Sequence, residues 1–131
     1  MSFLCDTNII SELARPLPNP GVIAWSQSIS SIFISAITLE EIYYGLSAKP
    51  NPRIQTWFDS FVVTYCQIID VSPEVAKRAG EVRGYLQTQG KPRSQADMII
   101  AATAEIHKIT LITRNTKDFE GCGITILNPF T

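Results

Sequence analysis

The amino-acid sequence predicts an α/β fold with a mainly parallel central sheet flanked by helices. Two observations carry that expectation. Short apolar runs alternate along the chain with longer segments whose apolar residues recur at helical spacing. The 131 residues, with 45% hydrophobic and 18% charged content, fit one domain (residues 1–131) that can bury a core.

Phe3–Cys5 reads as a buried strand ending at Asp6-Thr7-Asn8, where Asn8 or Thr7 can cap a helix over Ile9–Ala14 that Pro16 stops. A second helix is expected from about Pro20 to Ser28, with Val22, Ile23 and Trp25 apolar. Ile32–Ser35, β-branched and aromatic, reads as a strand. Thr38–Leu46 follows as helix, with Leu39, Ile42, Tyr43 and Leu46 at helical spacing, and Arg53–Val63 carries Ile54, Trp57, Phe58 and Phe61 in the same way. Gln67–Val71 is a third strand. Ser72-Pro73-Glu74 combines a cap, a first-turn proline and an acid, so a helix should start there and run to about Thr88, with Gly90 marking its end. Ser94–His107 is the last helix, burying Ile99, Ile100 and Ala104, and Leu111-Ile112 and Ile124–Leu127 are the last strands.

A net charge of −1 and a pI near 5.8 give no overall attraction to nucleic acid, so any such contact requires a local basic patch. Cys5, Cys66 and Cys122 are odd in number and lack metal-ligand spacing, as expected of reduced thiols in a cytoplasmic protein. Neither a signal peptide nor a membrane span is expected from the opening residues, which reach Asp6 without a basic lead or long apolar stretch. The proline-bearing stretches Arg15–Pro20 and Lys49–Pro52 read as connections within the domain.

Four polar residues, Asp6, Glu41, Asp97 and Asn115, fall where strands end or helices begin. In a parallel sheet those places share one edge. Gathered there, the carboxylates repel each other by roughly 4 kcal/mol per pair at ~4 Å and an effective dielectric of about 20. A hard cation such as Mg²⁺ or Mn²⁺ relieves that repulsion. Helix capping competes as an explanation. Thr38-Leu39-Glu40-Glu41 and Ser94-Gln95-Ala96-Asp97 both match the capping box, and Asn115-Thr116-Lys117-Asp118 resembles a third cap. No capping box accounts for Asp6, an acid closing a buried strand, which needs a partner or a metal.

At these residues the sequence resembles the PIN-domain family, specifically toxin ribonucleases of the VapC and FitB type. Leu4-Cys5-Asp6-Thr7-Asn8-Ile9-Ile10-Ser11-Glu12 resembles the first motif of that family, with its acid at Asp6. Ser35-Ala36-Ile37-Thr38-Leu39-Glu40-Glu41-Ile42-Tyr43-Tyr44-Gly45 resembles the second, with its acid at Glu41. Ala96-Asp97-Met98-Ile99-Ile100-Ala101-Ala102-Thr103-Ala104 resembles the third, with Asp97 in the acid position. Leu111-Ile112-Thr113-Arg114-Asn115-Thr116-Lys117-Asp118-Phe119 resembles the fourth. The closing Leu127-Asn128-Pro129-Phe130 is also similar. The fourth motif departs from the commoner aspartate by carrying Asn115, an oxygen without charge, and Asp118 one turn on can compensate or merely cap.

The resemblance implies a metal-dependent endoribonuclease, the toxin of a type II toxin–antitoxin pair, with Asp6, Glu41, Asp97 and Asn115 catalytic. Asp6, Asp97 and Glu41 would hold Mg²⁺ or Mn²⁺, with Glu41 completing the shell or acting as general base. One tight metal, with a second arriving with substrate, fits the neutral Asn115. Asn115 and the Thr113 hydroxyl would orient a metal-bound water. The implied partners are RNA, a cognate antitoxin protein and a second copy of the chain in a homodimer. A local basic rim is expected from Lys91, Arg93, Arg114 and Lys117, with solvated surface as the competing reading. His107, late in its helix, reads as a helix-end residue facing the carbonyl dipole, and Arg78 and Arg83 as helix surface. Trp25, Tyr43, Trp57 and Phe61 read as core or interface residues in preference to base-stacking ones. The alternative function is a PIN-fold binding module that cleaves weakly or not at all within an antitoxin-bound, DNA-binding repressor complex. A phosphoacceptor receiver domain with Asp70 as acceptor fits less well, because Asp6 has no acidic neighbour and no lysine follows Leu127.

Overall fold

A computed structural model describes residues 2–131. Five strands and six α-helices follow one another as β1 (Phe3–Cys5), α1 (Thr7–Leu13), α2 (Pro20–Gln27), β2 (Ile32–Ser35), α3 (Ala36–Ala48), α4 (Pro52–Tyr65), β3 (Cys66–Ile69), α5 (Pro73–Thr88), α6 (Gln95–His107), β4 (Thr110–Ile112) and β5 (Ile126–Leu127), with a 3₁₀ turn at Thr116–Phe119 between the last two strands. All paired strands are parallel, in the order β3-β2-β1-β4-β5. This is the predicted α/β class. The order also excludes the receiver arrangement, in which β1 and β3 are neighbours. Among the described residues no helix is long and apolar enough to cross a membrane.

Strand periodicity divides the core in two. In β1 and β4 the paired Leu4 and Leu111 face α5 and α6, packing with Val75, Met98, Ile100, Ala101 and Phe119. The next pair, Cys5 and Ile112, faces the other way and packs with Ile9, Ile10, Ile32, Ile34 and Phe58. Both faces are covered, which explains why these strands are apolar runs without polar alternation. Trp57 stacks on Phe61 with 4.7 Å between ring centroids, and both rest half-buried against the second cluster, as does Trp25. Tyr43 is more exposed, lying edge-on to Phe58 and donating to Asp59. The three cysteines are free thiols; Cys5 and Cys122 are buried.

The helix starts differ from expectation where a strand runs directly into a helix. Asp6, not Thr7 or Asn8, is the N-cap of α1, accepting the Thr7 N–H at 2.8 Å. Ser35 ends β2 and also caps α3, accepting from the Ile37 N–H. Helix α3 therefore begins two residues before Thr38, whose hydroxyl is buried without a partner, and Glu41 lies in its second turn. The capping-box explanation for Glu41 is thereby removed. Ser94 does cap α6, accepting the Asp97 N–H at 3.1 Å. Strands β3 and β5 are shorter than predicted: β3 ends at Ile69, before Asp70-Val71, and β5 begins at Ile126, with Thr125 contributing only its carbonyl to the Leu111 N–H.

Candidate active site

The chain crosses from one half of the sheet to the other between β1 and β4: β2 and β3 lie on one side of β1, and β4 and β5 on the other. Ligands of open α/β sheets bind outside the carboxyl ends of strands at such a reversal. A cleft of about 460 Å³ opens there, lined by Asp6, Thr7, Asn8, Glu41, Asp97, Arg114, Asn115 and Asp118 among others. All four predicted site residues share it. Asp97, whose helix follows another helix in sequence, reaches it because α6 lies beside the end of β4.

Asp6 is the most firmly held of the four. Its Oδ2 accepts from the Thr113 hydroxyl at 2.8 Å and from Asn8 Nδ2 at 3.1 Å, while Oδ1 accepts the Thr7 N–H. These bonds require the chain to leave β1 and β4 side by side, since Thr113 lies just after β4. The Thr113 hydroxyl also accepts from the Asn115 N–H at 3.1 Å and from Asn8 Nδ2 at 3.3 Å. It is fully buried and its one proton is given to Asp6, so the expected role of orienting a water does not fall to it. Asn8 completes the clasp through Oδ1, which accepts the Arg114 N–H at 3.0 Å. Beside Asp6, the Thr7 hydroxyl donates to Glu41 Oε1 at 2.8 Å. Asn115 makes no side-chain cap bond to the 3₁₀ turn, so the third predicted cap is absent and its amide stands exposed at the cleft.

Burial raises the carboxyls of Asp6, Glu41 and Asp97. At Asp6 the hydrogen bonds from Thr113, Thr7 and Asn8 oppose the rise, and the charge of Asp118 adds to it. At Glu41 the Thr7 hydroxyl opposes, with Asp6 and Glu40 adding. Asp97 is pushed up to about 6, by burial first, with Ser94 opposing and Asp6, Asp118 and Glu41 adding their charges. Asp97 therefore senses Asp6, Glu41 and Asp118 across the cleft. Among the described residues no three His, Cys, Asp or Glu side chains are drawn into a closed ion-binding set. The carboxylates instead line the cleft as like charges. Their hard oxygen donors, each strained as an anion, suit a divalent cation.

The predicted basic rim is met only in part. Arg114 lines the cleft; Lys91, Arg93 and Lys117 do not, and Arg93 donates to the Lys117 carbonyl oxygen. Four further cleft residues were given no site role by the sequence: Ser11, Glu12, Arg15 and Phe130. Glu12 and Arg15 are three apart on one turn, the spacing of an ion pair, which was the available signal. His107 ends α6, away from the cleft, and Asp70 is likewise remote from it.

A PIN domain family model matches residues 3–121. The chain belongs to the PIN domain family. Among curated PIN relatives, it is 35% identical over 135 residues to Toxin FitB of Neisseria gonorrhoeae, covering 97% of each chain. It is 33% identical to VapC ribonuclease Y4jK of Sinorhizobium fredii, with 95% of each covered. Its fold matches a solved toxin–antitoxin complex from Klebsiella pneumoniae with a TM-score of 0.77 and 29% identity over 98% of each chain.

Proposed function

We propose that this PIN-domain chain is a metal-dependent endoribonuclease, the toxin of a type II toxin–antitoxin pair, and that it hydrolyses RNA phosphodiester bonds. The observation that carries the reading is the convergence of Asp6, Glu41, Asp97 and Asn115 on one cleft at the strand-order reversal. The similarity to proteins named toxin, VapC ribonuclease and toxin–antitoxin complex supports it from a separate direction.

Mg²⁺ or Mn²⁺, held by Asp6, Asp97 and Glu41, would lower the pKa of an attacking water and neutralise charge on the phosphate. The protein's own residues divide the remaining work. Asp6, fixed by three donors, is a ligand whose position is set before anything binds. Glu41, held through Oε1 alone, is suited either to complete the cation's shell or to take the proton of the water as general base. Asn115 offers a neutral amide that orients without adding charge. An antitoxin with a basic side chain entering the carboxylate cluster would block the site by replacing the cation. A homodimer completes the proposed assembly.

Incubating the purified chain with RNA and Mg²⁺ or Mn²⁺, beside Asp6→Asn of unchanged fold, tests the reading. Cleavage by the wild type alone is expected. Equal cleavage by both proteins would overturn it.

A further inference from the structure

Beyond the carboxylates, the same cleft carries two arginines that the catalytic reading leaves without a task. Arg114 and Arg15 line both the cleft and a smaller adjoining cavity of about 180 Å³, so they mark the passage between the two. Each is mounted on a different support. Arg15 donates from Nη1 to both oxygens of Glu12, at 3.1 and 3.2 Å, and Glu12 is buried, taking the Asn19 N–H at 2.7 Å as well. The guanidinium of Arg114 lies over the Phe130 ring, 4.7 Å from its centroid. Among the described residues that guanidinium makes no ion pair or hydrogen bond. Its donors are free, and its backbone is pinned by Asn8.

Phe130 is itself held by a designed-looking seat. Its N–H donates to Asn128 Oδ1 at 3.0 Å, and the Thr131 N–H donates to Asn19 Oδ1 at 3.1 Å. Asn19 Nδ2 returns a bond to the Thr131 carbonyl, also at 3.1 Å. Gly21 lets segment 128–131 lie against the start of α2: a Cβ there would stand 2.2 Å from the Pro129 carbonyl oxygen. Asn19 thus caps α2 and ties down the segment that carries the aromatic ring.

An RNA strand presents a phosphate at every nucleotide, and only one can lie over the acids. The next one meets repulsion from those acids unless cations receive it. We propose that Arg15 and Arg114 form a phosphate subsite that takes the phosphodiester adjacent to the one cleaved on single-stranded RNA. Phe130, seated by segment 128–131, is the positioning residue that keeps Arg114 aimed there. A guanidinium matches phosphate geometry through paired donors, and an aromatic face limits its freedom without consuming those donors. The inference rests on the nuclease reading of the cleft.

The test measures binding of a short single-stranded RNA oligonucleotide to the full chain in EDTA, where cleavage does not intervene, across a salt series. Arg114→Gln and Arg15→Lys should each weaken binding at low salt, Arg114→Gln by about tenfold. The slope of log affinity against log salt should fall by ~0.7 for the lost Arg114 contact. In cleavage assays Phe130→Leu and Gly21→Ala should raise KM several-fold with kcat little changed, and Phe130→Trp should restore the wild-type KM. A purely structural role for the ring would instead lower the melting temperature and leave KM untouched. Wild-type affinity and salt slope in a folded Arg114→Gln protein would overturn the subsite, whatever Asp6→Asn does. Conversely, weakened binding by Arg114→Gln in a chain that cleaves no RNA would retain the subsite and reject the nuclease reading.

Discussion

On the wall of the cleft built by the ends of β1 and β4, Asp6 receives donors from Thr7, Asn8 and Thr113 and is itself buried. On the wall built by α6 and the 3₁₀ turn, Asp97 has the Ser94 cap beside it and is pushed up to about 6. Both are aspartates at helix starts, facing the same cluster of charge. The difference lies in how burial is compensated. Asp6 is locked by one bond from Thr113, 107 positions away, together with two from its neighbours Thr7 and Asn8, whereas Asp97 has only Ser94, three residues back. A buried carboxylate with converging donors is a fixed fixture; one without them titrates with its surroundings.

The sharpest way to break this comparison is to remove charge from the fixed member. Asp6→Asn should lower RNA cleavage by at least about 100-fold, more than the loss typical of an outer-shell partner. Retained secondary structure by circular dichroism, with turnover on a labelled RNA, would check it. Next in size is the support beneath Asp6. Thr113→Val removes a donor from Asp6 and an acceptor from Asn115 and Asn8, so it should cost ~1–3 kcal/mol in urea unfolding. Cleavage should fall about 10–100-fold with it. A Thr113→Val protein of wild-type stability and turnover would mean that the strand-end wall is not preorganised as described.

The smallest expected effect is on the titrating member. The carboxyl of Asp97 is raised from 3.8 to about 6 in the folded protein, so ionising it opposes folding. The stability tied to its protonated form is present in full below pH ~3.8 and lost as pH rises through about 6. Asp97→Asn, in chelator, should therefore be more stable than wild type at pH 7 by ~1 kcal/mol, a figure discounted for partial exposure. The gain should vanish near pH 4. Urea titrations at the two pH values measure it, and equal gains at both would show that the charge of Asp97 is not what its seat resists.

Much of this molecule was legible from local signals. Pro73 behind Ser72 set the start of α5, and the apolar runs at Phe3–Cys5 and Ile32–Ser35 gave β1 and β2 with their observed bounds. The failures cluster where strand and helix meet without a loop. There a single residue, Asp6 or Ser35, serves as strand end and cap together, and a hydroxyl downstream such as Thr38 imitates the cap it is not. Asp118, expected either to compensate for Asn115 or merely to cap, lies on the cleft, where its charge acts on Asp6 and Asp97.

The sequence by itself determined the elements, the α/β class and the order of four polar residues at their boundaries. Periodicity and capping act within a turn or a few residues, and such effects are written locally. Strand order was decided only in three dimensions, and with it the reversal beside β1 that opens the cleft. The same holds for the basic side chains: Lys91, Arg93 and Lys117 stand near the motifs in sequence yet miss the cleft. Arg15 and Phe130 reach it from opposite ends of the chain. Charge and hydrogen bonding act through space over a few ångströms, so which groups meet depends on packing that no local window contains.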